Sequence, residues 1–597
     1  MRIFFCALLM AALGLAAEPA AAGQNLLTYT VDLRQPGDDL FHVEVEVTDV
    51  GKDNAVYQFA ATAPGAYEVM DIGRYVRSFE AFDKKGKKLP VEHVSVNQWR
   101  LGKPEKTARL RYTVAETWDT PVKEHPIALM CGTSIEQDHA LVNGQGVFGY
   151  FTGQQDRDMR IKIQSPEGWQ AGTAMTQDGE GYYRADSYDQ AVDSPVLLGR
   201  LTSASTQVGG AEVAVVTYSK TDLIKSEQLL DGMRQMLAAA EKFLVKLPVP
   251  RYVFLFHFED RTNGAWEHSY SSEYVFEERP LNQEMLDGLV GTAAHEFFHI
   301  VTPLNLHSEV IEQFNFVNPT GSQHLWLYEG VTEWAAGAMQ LRGGLMGLER
   351  YCEELHQKVT IDRAHDTTYA LTTLGLRSFS DEGQKQYYNI YHRGALVGAL
   401  LDLRLLELSG GRRGLREVLL ELTQRYGPDK PFSEKGFFDE FVQLTYPPIG
   451  DFFSSYVKAA EPLPLAEYFG KVGIRYDRTF VKGKVTALGL SFSVTPKGIV
   501  IAQVGDSARA FGFREGDELV RATGEAVTRA NVRDVLVRLR QPGAGKPYEM
   551  TVWRDGQEIT VRGRLQLRDD VQQYVFRPDP AATPQQLALR EAWMRNL

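Results

Sequence analysis

Two histidines separated by three residues, with a glutamate directly after the first, form the segment HEFFH at residues 295–299. In a helix, His295 and His299 lie one turn apart on the same face, so both imidazoles can bind a single metal ion. Neutral imidazoles suit Zn²⁺, and a catalytic zinc site needs three protein ligands and one position for water. Glu296 would lie beside that water and accept its proton. Because a bare HExxH pattern also arises by chance, two solvated helical histidines are the alternative.

A third ligand is offered by the segment LWLYEGVTEW, in which Glu329 follows the second histidine by 30 residues. Glu333 lies four residues later on the same helical face, where it would accept a hydrogen bond from a ligand histidine and fix its tautomer. A solvent-facing Glu333 is the alternative. The rival third ligands are His307, Glu309 and His324.

Long helical patterns dominate the chain after residue 281, including 284–301, 322–341 and 391–408, of which the first two carry these residues. The last two stop at glycine pairs, as helices often do. Before them, residues 211–278 alternate like strands around one amphipathic helix near 226–245. The middle of the chain is therefore predicted to be a small sheet followed by a helical half. The strand RYVFLFHF is predicted to lie at the sheet edge, where it would hold a peptide by strand addition.

The two ends of the chain differ from this middle. From about residue 25 to residue 201, period-2 alternation between turn signals predicts an all-β region, a sandwich, with no catalytic cluster in it. From about residue 475, short strands and one helix predict a small, partly closed barrel. The tail beyond residue 568 is predicted to be extended or weakly ordered, apart from a last helix near 585–595. The fold class is thus multidomain α+β.

Together these motifs resemble the gluzincin peptidases, in which a glutamate downstream of HExxH, commonly within an EG dipeptide, completes the zinc site. More narrowly, the chain resembles the glycyl aminopeptidase family, because TAPGAYEVMDIGRYV, GAWEH, HEFFH, LWLYEG and YHRGALVGALLD follow in order. That family combines an N-terminal β-domain, a thermolysin-like catalytic domain and a C-terminal PDZ domain. The resemblance places these domains at 23–205, 206–474 and 475–568, followed by a tail at 569–597.

The resemblance also implies roles for residues outside the metal motif. Gly264 and Glu267 of GAWEH match a glycine-rich motif whose glutamate binds the free α-amino group of the substrate, and an exposed loop glutamate is the alternative. Tyr391 matches the tyrosine whose hydroxyl stabilises the tetrahedral intermediate, with Tyr388 as runner-up and core packing as the alternative. The alanine and tryptophan of GAWEH replace the usual Gly and Leu, and IVTPLNLHSEV replaces a Trp-Asn pair with basic residues. A preference for glycine therefore does not transfer.

The segment ALGLSFS contains Leu488, Gly489 and Leu490, which match the turn by which PDZ domains bind a terminal carboxylate through backbone N–H groups. The segment VGDSARAFGFREGDELVRATGEAV also resembles the PDZ domains of bacterial proteases. Residues 531–539 would form the helix that lines the peptide groove. A PDZ-shaped lid that binds no ligand is the alternative.

Residues 1–22 have the pattern of a secretory signal peptide, with Arg2, an apolar run to Ala17 and small residues to Ala22. The run is shorter than the roughly 20 residues that span a bilayer. Cleavage after Ala17 or Ala22 and export, to the periplasm or the medium, are therefore predicted, without stable membrane insertion. The formal net charge of −13 disfavours nucleic acids and anionic membrane surfaces as partners.

These observations predict a zinc aminopeptidase, with one Zn²⁺ per chain, that removes N-terminal residues, including small ones such as Gly or Ala, from exported peptides. The first alternative is a zinc endopeptidase that recruits its substrates through the PDZ groove. The second, from another class, is a metal-stabilised protein that binds peptides without cleaving them.

Overall fold

The computed structural model describes residues 26–261, 264–496 and 498–597. The predicted signal peptide at 1–22 lies outside these residues. Within them, none of the helices combines the length and the apolar composition that a membrane crossing requires. The chain forms two compact units, of which the larger extends to Ile474 and resumes at Pro578–Leu597, and the smaller is Arg475–Arg577.

The first part of the larger unit is β-rich, as the period-2 alternation predicts. Its seven-stranded sheet consists, in spatial order, of Tyr183–Ala185, Asp158–Gln164, Leu26–Asp32, Leu40–Glu46, Thr107–Ala115, Val76–Asp83 and Lys88–Leu89. One four-stranded sheet consists of Gln170–Gly172, Val196–Gly199, His139–Val142 and Ser134–Ile135, and the other of Gly149–Phe151, Val56–Phe59, Gln98–Leu101 and Val91–Ser95. Two short helices, Gly144–Val147 and Tyr188–Val192, connect them.

Alternating side chains of these strands form the core of this region. In Leu26–Asp32, for example, Tyr29 and its neighbours two residues away are buried, because successive side chains of a strand point to opposite faces. Tyr57 and Val142, from the other two sheets, belong to the same apolar cluster as Tyr29. The three sheets therefore share one hydrophobic core.

A mixed five-stranded sheet follows, in the order Leu201–Val208, Ala211–Ser219, Arg251–Glu259, Ser271–Glu277 and Gly264–Glu267. Arg251–Glu259 pairs in parallel with Ala211–Ser219 on one side and with Ser271–Glu277 on the other. The prediction that RYVFLFHF is an edge strand is therefore wrong, since both of its edges are occupied. The edge strands are Leu201–Val208 on one side and Gly264–Glu267 on the other, and the latter, called the edge strand below, pairs only with Ser271–Glu277 among the described strands.

The rest of the larger unit is helical, as predicted. Three of its elements contribute to the candidate site. The histidine helix is Gln283–Phe298, and the glutamate helix is a π-helical turn Trp326–Val331 continued by the α-helix Thr332–Arg342. The tyrosine helix is Tyr388–Ser409. The others are Ser226–Leu244, Glu309–Glu312, Leu348–Ala364, Leu371–Leu376, Asp381–Gln386, Leu415–Arg425, Phe437–Leu444, Pro448–Tyr456, Leu465–Lys471 and Pro584–Trp593.

The smaller unit has its own apolar core. The long strands Ile474–Ala487 and Gln566–Pro578 pair with each other, and a second sheet contains Leu490–Thr495, Gly498–Val504, Glu518–Ala522, Glu525–Ala526, Pro547–Arg554 and Gln557–Arg564. Its helices are Asp506–Ala510 and Val532–Arg540.

The C-terminal tail is extended and then helical, in agreement with its prediction. Gln566–Pro578 is a strand, and the predicted last helix spans Pro584–Trp593. That helix belongs to the larger unit, where the Trp593 ring is 1% exposed and packs edge-on against Tyr351. Burial of a whole indole orders this segment.

Candidate metal and catalytic site

The histidine helix presents both imidazoles of HEFFH to one point. Asn282 caps its N-terminus by accepting a hydrogen bond from the backbone N–H of Met285. The helix ends at Phe298, three residues before the predicted end, so that His299 is the residue directly after the helix. Its backbone remains helical, with φ −60° and ψ −18°, and it therefore still follows His295 by one turn.

A glycine pair brings the glutamate helix and the tyrosine helix into backbone contact. A Cβ atom on Gly330 would lie 2.5 Å from the Cα atom of Gly394, and a Cβ on Gly394 would lie 2.6 Å from the Cα of Gly330. No larger residue fits at either position without moving the helices apart. Because Glu329 directly precedes Gly330 and Tyr391 lies one turn before Gly394, this contact sets their two side chains beside each other.

The three predicted ligands converge. The Glu329 carboxylate oxygen Oε2 lies 3.5 Å from Nε2 of His295 and 3.7 Å from Nε2 of His299. One ligand atom from each residue lies within 4.8 Å of the other two, and all three residues are buried. Ligand atoms about 2.0–2.1 Å from a tetrahedral ion are separated by about 3.3 Å. The donor set and its spacing therefore fit one divalent transition-metal ion.

Outer contacts orient the first imidazole. His295 donates its Nδ1–H to Glu333 Oε2 at 2.8 Å, which leaves the lone pair of Nε2 directed at the metal position. The other oxygen of Glu333 accepts a hydrogen bond from the Lys358 ammonium. Burial disfavours a charged Glu333, but Lys358 and His295 outweigh it and hold the pKa of this carboxyl below its usual range. Glu333 thus lies between His295 and Lys358, and nothing in the sequence indicates the lysine.

The second imidazole is oriented by the backbone. His299 donates its Nδ1–H to the carbonyl oxygen of Thr302 at 2.9 Å, so its Nε2 is also unprotonated when the ring is neutral. Burial lowers the pKa of His299 to about 4, which favours the neutral ring. The rival ligands are engaged elsewhere: His307 with the Pro303 carbonyl, Glu309 with the backbone N–H of Glu434, and His324 with the Glu434 carbonyl.

Two further carboxylates face this point. One oxygen each of Glu267 and Glu296 lies within 4.8 Å of a ring nitrogen of His299 and of the other carboxylate. Burial raises the pKa of Glu296 to about 7; the positive charge of His295 opposes that shift and the charge of Glu329 adds to it. Burial and the charges of Glu329 and Glu296 also raise the pKa of Glu267. The site thus gathers more carboxylates than its own cations neutralise.

Glu267 ends the edge strand rather than lying in an exposed loop. Gly264 begins this strand with φ +141°, a conformation that favours glycine. The Trp266 side chain, 2% exposed, joins the core of the β-rich region and donates its indole N–H to the Pro64 carbonyl at 3.2 Å. Trp266, which stands where the motif usually has a leucine, therefore anchors the edge strand to the β-rich region.

Tyrosine side chains cover the other side of the metal position. The Tyr391 ring centroid lies 5.6 Å from that of His295, and its hydroxyl is 3.0 Å from the hydroxyl of Tyr387. Burial and the neighbouring Glu329 carboxylate raise the pKa of Tyr391 well above its usual value, so the phenol is a neutral donor. The runner-up Tyr388 is 69% exposed and points away from the core.

The β-rich region also reaches the site, which the sequence did not reveal. The Tyr67 ring packs 5.5 Å from that of Tyr387, and its hydroxyl is near enough to Glu329 and Glu267 for their charges to raise its pKa, after burial. Tyr67 adopts φ +49°, an unusual conformation for a non-glycine residue. Nearby, a Cβ on Gly65 would lie 2.5 Å from Oε1 of Glu267, so the bare backbone of this loop packs on that carboxylate. The sequence predicts no catalytic cluster in this region, but its loop at residues 65–67 packs against residues of the site.

A helix bearing HExxH, with a glutamate from a following helix beside its two histidines, is the arrangement of a class of metallopeptidases. Two family models match the chain within this fold: the peptidase M61 N-terminal domain at residues 28–200 and the M61 glycyl aminopeptidase at residues 288–397. The chain belongs to the M61 glycyl aminopeptidase family, as the order of motifs predicts, and its helical domain is a peptidase domain.

One solved structure shares this fold over nearly the whole chain. A crystal structure of an aminopeptidase N family protein from Idiomarina loihiensis superposes with a TM-score of 0.73 at 20% identity, covering 96% of this chain and 100% of that one. An M1 zinc metallopeptidase from Deinococcus radiodurans gives a TM-score of 0.47 at 13% identity, covering 74% of this chain and 95% of that one. None of the curated proteins compared by sequence matches the chain.

Proposed function

We propose that this protein is a zinc-dependent aminopeptidase that removes N-terminal residues from peptides. The observation that carries the proposal is the convergence of His295, His299 and Glu329 within 4.8 Å, with the Glu267 carboxylate equally close to His299 and Glu296. Family membership supports peptide hydrolysis, and the extra carboxylate supports the choice of an exopeptidase.

His295, His299 and Glu329 would hold the zinc ion, because their donor atoms are buried and suitably spaced. Despite burial, the carboxylates of Glu329 and Glu333 raise the pKa of His295, and a bound zinc ion would take the place of that proton on Nε2. When bound in such a site, zinc polarises the scissile carbonyl and lowers the pKa of its water to about 7. Glu333 and the Thr302 carbonyl keep the two imidazoles in the tautomers that binding requires.

Glu296 is the general base. Its carboxylate lies beside the metal position but is not among the three converging ligands, and burial brings its pKa to about 7. A carboxylate with such a pKa can take a proton from water and then pass it to the leaving amine.

Tyr391 is the oxyanion donor. Its neutral hydroxyl lies next to Glu329 and hydrogen bonds to that of Tyr387, so it can donate to the oxygen of the scissile carbonyl as negative charge develops there.

Glu267 holds the α-ammonium group of the substrate. Desolvation raises the pKa of the half-buried Glu267 carboxyl, and the charges of Glu329 and Glu296 raise it further, so a cation in this place would relieve the repulsion. An ammonium bound here sets the distance from the substrate N-terminus to the metal, which restricts cleavage to the first peptide bond. The free edge of Gly264–Glu267 would pair with the peptide backbone, in place of the central strand proposed from the sequence.

The smaller unit is proposed to be a PDZ-like domain within residues 475–568, preceded by a β-domain at 23–205 and a thermolysin-like domain at 206–474. Support comes from Leu490–Thr495, which lies at the edge of its sheet, and from Gly489, whose φ of +74° suits a carboxylate-binding turn. Leu488, Gly489 and Leu490 would contact the terminal carboxylate of a peptide ligand. Residues 1–22 support export, with peptides outside the cytoplasm as substrates.

The test compares a free peptide with its N-acetylated form, read by mass spectrometry with and without a chelator. We expect stepwise removal of N-terminal residues from the free peptide only, abolished by the chelator and restored by Zn²⁺. Glu267→Gln should reduce cleavage of the free peptide about 100-fold, mainly through KM. Equal cleavage of both peptides would favour the endopeptidase, and no zinc-dependent cleavage of either would favour the binding protein.

A further inference from the structure

A second cluster of metal-ligating residues lies outside the site described above. His257 and Glu259 belong to the central strand Arg251–Glu259, where a spacing of two residues places both side chains on one face of the sheet. His139 belongs to His139–Val142, a strand of the β-rich region. The three side chains are 2%, 5% and 2% exposed for His257, Glu259 and His139, and one ligand atom of each lies within 4.8 Å of the other two.

The hydrogen bonds of His139 leave a lone pair facing a carboxylate. Its Nδ1 lies 2.9 Å from Asp138 Oδ1, and since a carboxylate only accepts, Nδ1 carries the proton. In the neutral ring, Nε2 then has no proton, yet it lies 3.2 Å from Glu259 Oε1 and makes no hydrogen bond within the described residues. Two acceptors at this distance repel each other unless a cation lies between them.

The environment of His257 makes the same demand. Neither of its ring nitrogens has a hydrogen-bond partner in the described part of the chain, although the side chain is almost fully buried. Its Nε2 lies 3.8 Å from the same Glu259 oxygen. A proton on Nε2 of His139 would satisfy the Glu259 oxygen but would leave both ring nitrogens of His257 without a partner. Because a buried polar atom without a partner costs about 1–3 kcal/mol, His257 needs a partner of its own.

The spacing repeats that of the first site. In the second cluster, the Glu259 oxygen lies 3.2 and 3.8 Å from the two imidazole Nε2 atoms. The corresponding distances from Glu329 in the first site are 3.5 and 3.7 Å. Outer partners also recur, because Asp138 orients His139 as Glu333 orients His295, and the Lys220 ammonium binds the second oxygen of Glu259 at 2.8 Å.

We propose that His139, His257 and Glu259 hold a second divalent transition-metal ion, of the Zn²⁺ class, in addition to the ion of the first site. Two imidazoles and one carboxylate suit zinc, and water completes the coordination. Three protein ligands and a water are the set of a catalytic zinc site, but the ligands here are almost fully buried, so the ion would serve to join a strand of the β-rich region to the catalytic sheet. Aromatic rings stack on both imidazoles, Trp118 on His257 at 4.9 Å and Tyr218 on His139 at 3.8 Å.

The proposal is tested by counting zinc after removal of loosely bound metal, with inductively coupled plasma mass spectrometry of the full chain loaded with Zn²⁺ alone. We expect about two zinc ions per wild-type chain. His257→Ala should lose one ion and keep peptide hydrolysis within about twofold, because no residue of the first site changes. His299→Ala should lose one ion together with hydrolysis, and the double variant should hold none. His93→Ala, at an exposed histidine, is the matched control and should keep both.

Unchanged zinc content in His257→Ala would overturn the proposal. If the first site fails to bind zinc instead, the wild type holds one ion, His257→Ala holds none and His299→Ala keeps one, so the two failures are distinguishable. Should His257→Ala not fold, His257→Gln keeps a side chain of similar size, and an anomalous difference map of the zinc-loaded wild type locates the ion directly. A map without a peak between His139 and His257 would refute the second site.

Discussion

Replacing the carboxylate that orients His295 should weaken zinc binding without touching a ligand. Glu333→Gln preserves the shape of the side chain but removes the charge that accepts the 2.8 Å hydrogen bond from the His295 Nδ1–H. Changes to such outer partners typically cost 10–100-fold in metal affinity, which is about 1.4–2.8 kcal/mol. The variant also leaves the Lys358 ammonium, 13% exposed, without its partner. The double variant Glu333→Gln, Lys358→Met also removes the unpaired ammonium. A loss of zinc affinity that persists in the double variant therefore comes from the lost orientation of His295 and not from a loss of stability.

The assay measures the rate of peptide hydrolysis against the buffered concentration of free Zn²⁺, which reports on the catalytic site alone. Half-saturation should move to a concentration about 10–100 times higher in Glu333→Gln and remain there in the double variant. Glu349→Gln, which changes an exposed glutamate, should match the wild type. If half-saturation in Glu333→Gln stays within twofold of the wild type, the orienting role assigned to Glu333 is refuted.

Two other changes test the remaining geometry of the site. Tyr391→Phe should lower kcat about 100–1000-fold with little change in KM, whereas Tyr388→Phe, at the exposed neighbour, should have no effect; equal losses would refute the oxyanion role. Gly394→Ala places a Cβ 2.6 Å from the Cα of Gly330, so the two helices must separate by about 1 Å. We expect the unfolding free energy to fall by about 1–3 kcal/mol and kcat/KM to fall about 100-fold. Gly288→Ala, where a Cβ meets open space, is the control, and equal behaviour of the two variants in denaturant titration and kinetics would contradict the contact.

The metal ligands could be predicted from the sequence because their spacing carries the information. One turn of helix relates His295 to His299, and a glutamate on an otherwise apolar helix needs a buried cation to explain it. The order of the strands was less accessible. In Arg251–Glu259, however, eight of the nine residues are buried, and its run YVFLF, apolar on both faces of the sheet, is typical of a central parallel strand rather than an edge.

Contacts between distant segments could not be predicted. Tyr67 lies within the motif TAPGAYEVMDIGRYV, but the motif does not indicate that its ring packs against Tyr387, about 320 residues later, because only the folded β-rich region brings this loop to the site. Similarly, His139 and His257 belong to different sheets, and neither follows a ligand spacing that the sequence would reveal. Trp266 appeared as a departure from a motif, and only its burial explains it.

The most direct test of the account is an anomalous difference map at the zinc edge, from crystals of the zinc-loaded protein. We predict a peak within about 2.0–2.2 Å of Nε2 of His295, Nε2 of His299 and a carboxylate oxygen of Glu329. A map without a peak at this point, or a peak that Glu329 does not reach, would contradict the assignment of the catalytic metal.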